Sequence, residues 1–391
     1  MPASPVHPIV IWFGRVGDMI LLSALLDVLQ RRYGGRCHVI GAGPWPAEIY
    51  ATHPAVGRVT CLHRYTAFLF DPAWWRALRA LRASRAGPVY VCEYDPRKLA
   101  RIRRLLIFSG TDPTRCLFIT DGHRVDAQAG PDTALPPTSK ISPTHWVDRL
   151  MSFGRLTPAA FSAADYPWPS PPPRGAPYLE VTATARAQCD AWLEARGWSA
   201  RPLVLVQPGN RRTMRGKRLR LTLEDDKAWP LERWAALLQQ IHARLPQALI
   251  VLCGAPRESL LLSWISAAAQ LPAVATVAWP LPRLFALCVR AHSMISVDTG
   301  PAHAAAALSL PLVVLFGGHA QAQWLPRSPS GSAVLGLGGP PHSNRLDQIA
   351  VQTVFAAWCS LPAPVAAPGV TATALPPQGA LKPTAANATV R

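Results

Sequence analysis

The stretch from Ile295 to Leu308 constrains this chain more than any other. Ile295-Ser296-Val297 is the end of an apolar, partly β-branched strand, and it runs into Asp298-Thr299-Gly300-Pro301. An alanine-rich helix follows, with His303 in its first turn, and a second apolar strand, Leu312-Val313-Val314-Leu315-Phe316, stops at Gly317-Gly318. Two strands joined through a helix pair in parallel, because a parallel pair needs a long crossover. In open parallel sheets, ligands bind at the carboxyl ends of the strands. The N–H groups at a helix N-terminus favour an anion such as a diphosphate. Asp298 and Thr299 are residue types that cap a helix, and Pro301 suits a first turn because it has no N–H to lose. Taken alone, the string also describes a plain cap before a buried helix, with His303 an ordinary core or surface histidine.

The same pattern recurs along the chain. Strand Ile9–Phe13 leads through Gly14-Arg15-Val16-Gly17-Asp18 into a helix reaching about Arg32, stopped by Gly34-Gly35. Strand Cys37–Ile40 follows, and later Val89–Cys92 precedes a basic helix near 97–108. Tyr166-Pro167-Trp168-Pro169-Ser170-Pro171-Pro172-Pro173 breaks the pattern, since such a run favours an extended conformation and cannot join a central strand. Beyond it the alternation restarts with strand Leu203–Val206, helix Leu231–Arg244 and strand Leu249–Cys253. Further helices are expected near 258–269, 281–291 and 347–360. From about residue 362 the chain is Pro, Ala and Thr with few large apolar residues, a composition that predicts disorder. Strands alternating with helices predict an α/β fold with two parallel sheets, a proline-rich hinge and a cleft between facing sheet ends, where ligand sites concentrate.

The formal charge is +18 at pH 7, which points to anionic partners. The charge is clustered, in Arg97, Lys98, Arg101, Arg103 and Arg104 and again in Arg211, Arg212, Arg215, Lys217, Arg218 and Arg220; either run also suits a solvated surface. The eight cysteines form no Cys-x-x-Cys pair, which argues against a zinc site and for a reducing compartment. The apolar run from Ile9 to Leu29 is interrupted by Arg15, Asp18 and Asp27, so it is not a spanning helix, and no signal peptide is visible. A cytoplasmic protein, resting at most peripherally on the inner membrane, fits these features.

Several residues outside the opening motif have the right chemistry at a sheet edge. Asp18 ends the first strand's turn, where a carboxylate would repel a pyrophosphate but accept a proton from a hydroxyl; it also suits a helix cap. Lys227 precedes Trp229-Pro230 and the helix from Leu231, close to a strand's carboxyl end, and would meet a phosphate as a point charge unless it is merely solvated. Glu258 follows Cys253-Gly254-Ala255-Pro256-Arg257 and is, on position, a first-turn acid favoured by the helix dipole.

Taken together, Asp298-Thr299-Gly300-Pro301-Ala302-His303, Arg15-Val16-Gly17-Asp18 and Lys227-Ala228-Trp229-Pro230 resemble the signatures of glycosyltransferase family 9, the heptosyltransferases of lipopolysaccharide core synthesis. The resemblance covers most of residues 8–361. It implies the GT-B fold, with two Rossmann-like domains facing across a cleft: residues 1–165 for the acceptor, 166–177 as linker, 178–361 for the nucleotide sugar and 362–391 as a disordered tail. It implies Asp18 as the catalytic base and Lys227, Glu258, Asp298, Thr299, Gly300 and His303 as donor-binding residues. Gly300 is expected to let the backbone approach a phosphate. Arg15, Arg97, Arg101 and Arg104 are the candidates for an anionic lipopolysaccharide core acceptor. No cofactor and no metal are expected. Two features depart from the family: Ala255 replaces a glycine, and a basic insert near 211–223 precedes Lys227.

The expected activity is inverting transfer of a sugar, heptose above all, from an ADP-sugar to that acceptor, with peripheral contact to an anionic membrane. A GT-B-like nucleotide-sugar epimerase would share the fold and need no acceptor. A basic nucleic-acid-binding protein would use the same cations but should show a known reader fold, which is not evident. A nicotinamide dehydrogenase is disfavoured because neither half has the full glycine fingerprint at its first turn.

Overall fold

A computed structural model describes residues 4–62, 72–83, 86–119, 144–171, 174–210, 213–215, 218–219, 228–272 and 274–362. Lys227, most of the 211–223 insert, the dipeptide Pro172-Pro173 and the tail from 363 lie outside the described residues.

The amino-terminal half contains β1 (Ile9–Ile11), α1 (Val16–Tyr33), β2 (Cys37–Ala42), α2 (Trp45–Ile49) and β3 (Val56–Leu62). It continues with α3 (Pro72–Ala83), β4 (Val89–Val91), α4 (Pro96–Ser109), β5 (Cys116–Phe118) and α5 (Trp146–Arg155). Its five strands pair in parallel in the order β3-β2-β1-β4-β5. The carboxyl-terminal half opens with α6 (Ala183–Glu194), β6 (Leu203–Gln207) and a short hairpin, β7 (Met214–Arg215) and β8 (Arg218–Leu219). Then come α7 (Leu231–Arg244), β9 (Leu249–Cys253), α8 (Ser259–Ala269), β10 (Val274–Val277) and α9 (Leu281–Arg290). The chain closes with β11 (Ser293–Val297), α10 (Gly300–Ala307), β12 (Leu312–Phe316), α11 (Gln321–Trp324), β13 (Val334–Gly338) and α12 (Val351–Cys359). Here six parallel strands follow the order β10-β9-β6-β11-β12-β13. The last helix is shorter than its sequence pattern, because residues 346–348 form a separate tight turn.

The strands read as near-continuous apolar runs because both faces of each sheet are covered. Ile9, Val10 and Ile11 are fully buried, as are Leu203 to Val206 and Leu312 to Phe316. α1 is buried nearly all round, from Met19 through Leu29 except Asp27, and a helix apolar on every side belongs inside a structure. It ends at Gly34, whose φ of 73° lets its N–H cap Gln30 O. α10 can lie close to its neighbours because its buried face is alanine, Ala302 and Ala304 to Ala307. One hydrophobic cluster joins Leu22, Leu25 and Leu29 of α1 to Phe285, Ala304 and Ala307, so the two halves share a core.

The proline-rich segment runs along α1. Arg32 Nε donates to Tyr166 O at 2.8 Å and Arg31 Nη2 to Pro171 O at 2.6 Å. The Tyr178 N–H donates to Ser23 Oγ at 2.9 Å. A second seam joins α5 to the segment after α11. His145 Nε2 lies 2.8 Å from Leu325 O, and the Arg327 guanidinium meets Asp148 Oδ1 and Oδ2, each at 2.6 Å. Trp146 and Trp324 pack with ring centroids 5.5 Å apart.

Candidate active site

In each sheet the direction of strand addition reverses once, between β1 and β4 and between β6 and β11. A crevice opens at the carboxyl ends of the strands at such a reversal. The two crevices face each other, and each carries one of the glycine turns singled out above.

The turn after β1 holds Asp18 at the third position of α1. Its Oδ2 accepts the N–H of Arg15 at 2.7 Å, closing the turn. Gly14 is required here, since a Cβ would lie 2.5 Å from Asp18 Cβ. Beside it, at the end of β4, Glu93 is 1% exposed and accepts three backbone N–H groups: Phe13 at 3.2 Å, Tyr94 at 3.1 Å and Asp95 at 3.0 Å. Burial raises its carboxyl pKa, opposed by these bonds and by Lys98, whose Nζ is 3.8 Å away. Glu93 thereby ties β1 to β4 at the crevice. Tyr94 follows and is 45% exposed as a residue. Burial of the hydroxyl, then the Asp18 and Glu93 carboxylates, push its pKa to about 12, so it remains a hydrogen-bond donor at neutral pH.

The turn after β11 begins α10, and its residue types predict a capped helix. The structure differs. Thr299 occupies the N-cap in an extended conformation without a side-chain cap bond; its Oγ1 lies 3.2 Å from Ser296 Oγ. Asp298 turns the other way, and its Oδ2 is 2.8 Å from Nδ1 of His319. The first N–H groups of α10 are therefore left for something other than these side chains, as an anion site requires.

Gly17 and Gly300 meet across the two halves. A Cβ on Gly300 would lie 2.8 Å from Val16 Cγ1 and 3.1 Å from the Gly17 nitrogen. A Cβ on Gly17 would lie 3.2 Å from His303 Cδ2. The space on the Cβ side of Gly300 is filled by α1, so the approach of the two halves by itself requires a glycine here. His303 is 4% exposed and faces the start of α1.

Glu258 lies under the end of β6. Its Oε2 accepts the Ala255 N–H at 2.7 Å, while Oε1 is buried with no hydrogen-bond partner among the described residues. A Cβ on Gly209 would come within 2.6 Å of that oxygen. Burial raises the Glu258 pKa. A lone buried carboxylate oxygen is costly, and a hydroxyl donor would relieve it.

The four acceptor candidates do not form one group. Arg15 is exposed in the Asp18 turn, and Arg97 lies at the amino end of α4, one residue before Lys98, whose Nζ donates to Phe13 O at 2.8 Å. Arg101 and Arg104 recede along α4, away from the crevice. Trp229 and Pro230 fix the entry of α7: Trp229 is buried and donates Nε1–H to Ile349 O at 3.0 Å.

Sequence reading missed Glu93, Tyr94, His319 and Trp324. Glu93 and Tyr94 directly follow a strand that it had found, so their place at a carboxyl edge was available. His319 follows Gly317-Gly318 in the same way. Trp12, Tyr94, Trp146, Trp324 and His319 form a chain of ring contacts at centroid distances of 5.1 to 6.5 Å that crosses from one half to the other. No local pattern announces it.

The sequence profile of glycosyltransferase family 9 (heptosyltransferase) matches residues 144–348. Lipopolysaccharide heptosyltransferase 3 of Escherichia coli is 33% identical over 105 residues, a match spanning 26% of this chain and 31% of that protein. Among solved structures, the ADP-heptose lps heptosyltransferase II of E. coli superposes with a TM-score of 0.65 at 20% identity, covering 90% of this chain and 98% of the other. A family 9 glycosyl transferase from Veillonella parvula gives 0.67 at 16% identity, covering 92% and 97%. The E. coli heptosyltransferase WaaC with ADP gives 0.60 at 18%, covering 89% and 98%. These likenesses establish the two-sheet GT-B fold.

Proposed function

This chain belongs to glycosyltransferase family 9, and from that premise we propose that it transfers a heptose from ADP-heptose to a lipopolysaccharide core acceptor with inversion at the anomeric carbon. The observation that carries the reading is the meeting of Gly17 with Gly300, which sets a carboxylate turn against an uncapped helix N-terminus. One turn suits a proton acceptor and the other a departing diphosphate.

In this mechanism the acceptor hydroxyl oxygen attacks the anomeric carbon from the face opposite ADP. Its proton passes to Asp18 as the new C–O bond forms, and the bond from the anomeric carbon to the phosphate oxygen breaks. Inverting transfer needs one base on the attacking face. The Asp18 turn is already closed through Oδ2 and the Arg15 N–H, which holds the carboxylate in one orientation. Charge developing on the leaving phosphate is met by the N–H groups of α10 and by His303, with Lys227 adding a full charge. His319, held by Asp298 through Nδ1, presents Nε2 at the same edge. Glu258 Oε1 would accept a ribose hydroxyl. The acceptor, carrying acidic sugars on a lipid, would enter past Arg15 and Arg97 on the cytoplasmic side of the membrane.

The test is to incubate the protein with ADP-heptose and a lipid A–Kdo acceptor and to weigh the products. The expected result is an acceptor heavier by one heptose, with ADP released in equal amount. Conversion of the donor without any gain by the acceptor would give the site to an epimerase instead.

A further inference from the structure

α3 and α4 lie side by side on one face of the five-stranded sheet. Trp74, Ala77, Leu78 and Leu81 from one and Ile102, Leu105 and Leu106 from the other close a single core over Ile9, Ile11, Val89 and Val91. Their opposite sides consequently face outward together, and Arg82 Nη2 ties them by donating to Phe108 O at 2.9 Å. That outer surface has two properties that rarely coincide on a solvent face. It contains no acid: neither helix has an Asp or Glu, while Arg76, Arg79, Arg82, Arg103 and Arg104 are exposed on it. It also exposes large apolar groups. Ile107 is 74% exposed, Phe108 56% and Trp75 48%, three of the five large hydrophobics exposed among the described residues.

We propose that the outer face of α3 and α4 docks this protein on an anionic lipid bilayer. Exposed apolar side chains among like charges are unfavourable in water on both counts, and an anionic interface relieves both. Headgroup phosphates neutralise Arg76, Arg79, Arg82 and Arg104, while Ile107 and Phe108 enter the acyl boundary and Trp75 sits at headgroup level. No helix among the described residues is long and apolar enough to cross a membrane, so the contact is with the surface. The amino end of α4, with Arg97 and Lys98, reaches the Asp18 crevice, so a docked protein would meet a lipid-anchored acceptor at that edge. Only this last consequence rests on the proposed transferase.

The experiment is sedimentation of the full chain with vesicles of phosphatidylglycerol and phosphatidylethanolamine, against vesicles of phosphatidylcholine alone. Binding is expected to the first and not the second, and to fall steeply with salt. Arg76→Glu/Arg79→Glu should cut partitioning by at least about 10-fold, since each basic residue near an anionic surface contributes roughly a factor of five. Ile107→Ser should weaken binding by about 3- to 10-fold with little change in salt dependence, because it removes only apolar contact. All these side chains are exposed, so melting temperatures should not move, and ADP binding measured alongside should be unaffected. Equal binding to both vesicle types, or variants that sediment like wild type, would overturn the proposal. So would variants that lose binding to a short duplex DNA while keeping the vesicles. Vesicle binding without heptose transfer would count against the transferase alone, and transfer to a delipidated acceptor without vesicle binding against the docking face alone.

Discussion

The turns that open α1 and α10 are built from the same parts and end in opposite electrostatic states. Each follows a buried strand at a strand-order reversal, each has a glycine in contact with the other, and each begins a buried helix. In the first, the carboxylate folds back on its own turn and the Arg15 N–H is taken. In the second, the carboxylate of Asp298 swings to His319 and leaves the helix start uncapped. A negative, closed turn and a positive, open one across a single contact are what a proton acceptor and an anion site need. The difference comes from where the acid stands: within the helix's first turn at Asp18, but two residues before the helix at Asp298.

The sharpest way to break this contrast is to neutralise the closed turn. Asp18→Asn should reduce turnover by roughly 10²- to 10⁴-fold, the span for a lost general base. The amide oxygen can still accept the Arg15 N–H, so ADP affinity and melting temperature should hold. Near wild-type turnover at saturating acceptor would show that the base lies elsewhere.

The contact between the turns is the next target. Gly300→Ala places a Cβ 2.8 Å from Val16 Cγ1 and should cost about 1–3 kcal/mol through overpacking, read as a fall in melting temperature. Val16→Ala/Gly300→Ala should recover only part of that loss, since the residue-16 Cβ would still lie 2.9 Å away and the Gly17 nitrogen 3.1 Å. If Gly300→Ala melted like wild type, the pairing of α1 with α10 would not be the reason for glycine.

The open turn can be weakened at its edge. His319→Ala should raise the donor KM by roughly 10-fold, as for one lost hydrogen bond to a charged group. His319 is 38% exposed but its partner Asp298 only 7%, so loss of this bond to a buried carboxylate should also lower stability by about 1–3 kcal/mol. An acceptor KM that rises while the donor KM stays put would move His319 out of the donor side.

Smallest of all is the outer seam. Arg327→Ala should cost at most about 1 kcal/mol, since both partners of its bidentate pair with Asp148 are substantially exposed. Arg327 holds the Asp148 carboxyl below its ordinary pKa, so the contribution is present at neutral pH and fades as the carboxylate protonates in acid. Wild type and variant should converge in melting temperature at low pH; a gap that persists there would mean the arginine acts through packing.

Much of the fold could be read in advance because its information is local. Apolar runs ending in glycine marked β1, β2, β6, β9, β11 and β12, and the apolar spacing of Leu231 to Ile241 marked α7 to its final residues. β3, β5, β10 and β13 escaped, because they are edge or near-edge strands whose exposed positions dilute the apolar run; the pattern of β10 is mostly half-exposed. α3 escaped as well, its arginines interrupting the apolar signal although Ala73, Trp74, Ala77, Leu78 and Leu81 recur at helical spacing.

Local pattern specifies two parallel sheets and which turns stand at their carboxyl edges, because strand period, helix period and glycine stops are properties of neighbouring residues. It also specifies that an acid, a histidine and several cations crowd those edges. Packing alone sets Gly17 against Gly300, turns Asp298 to His319 and not its own helix, buries Glu258 beneath Gly209, and puts Arg104 on an outer face and not in the crevice. Each is a contact between residues distant along the chain, or a choice between partners equally available to the same residue type. Such choices are settled by which side chain fills which space once the sheets are packed, and no local pattern records that.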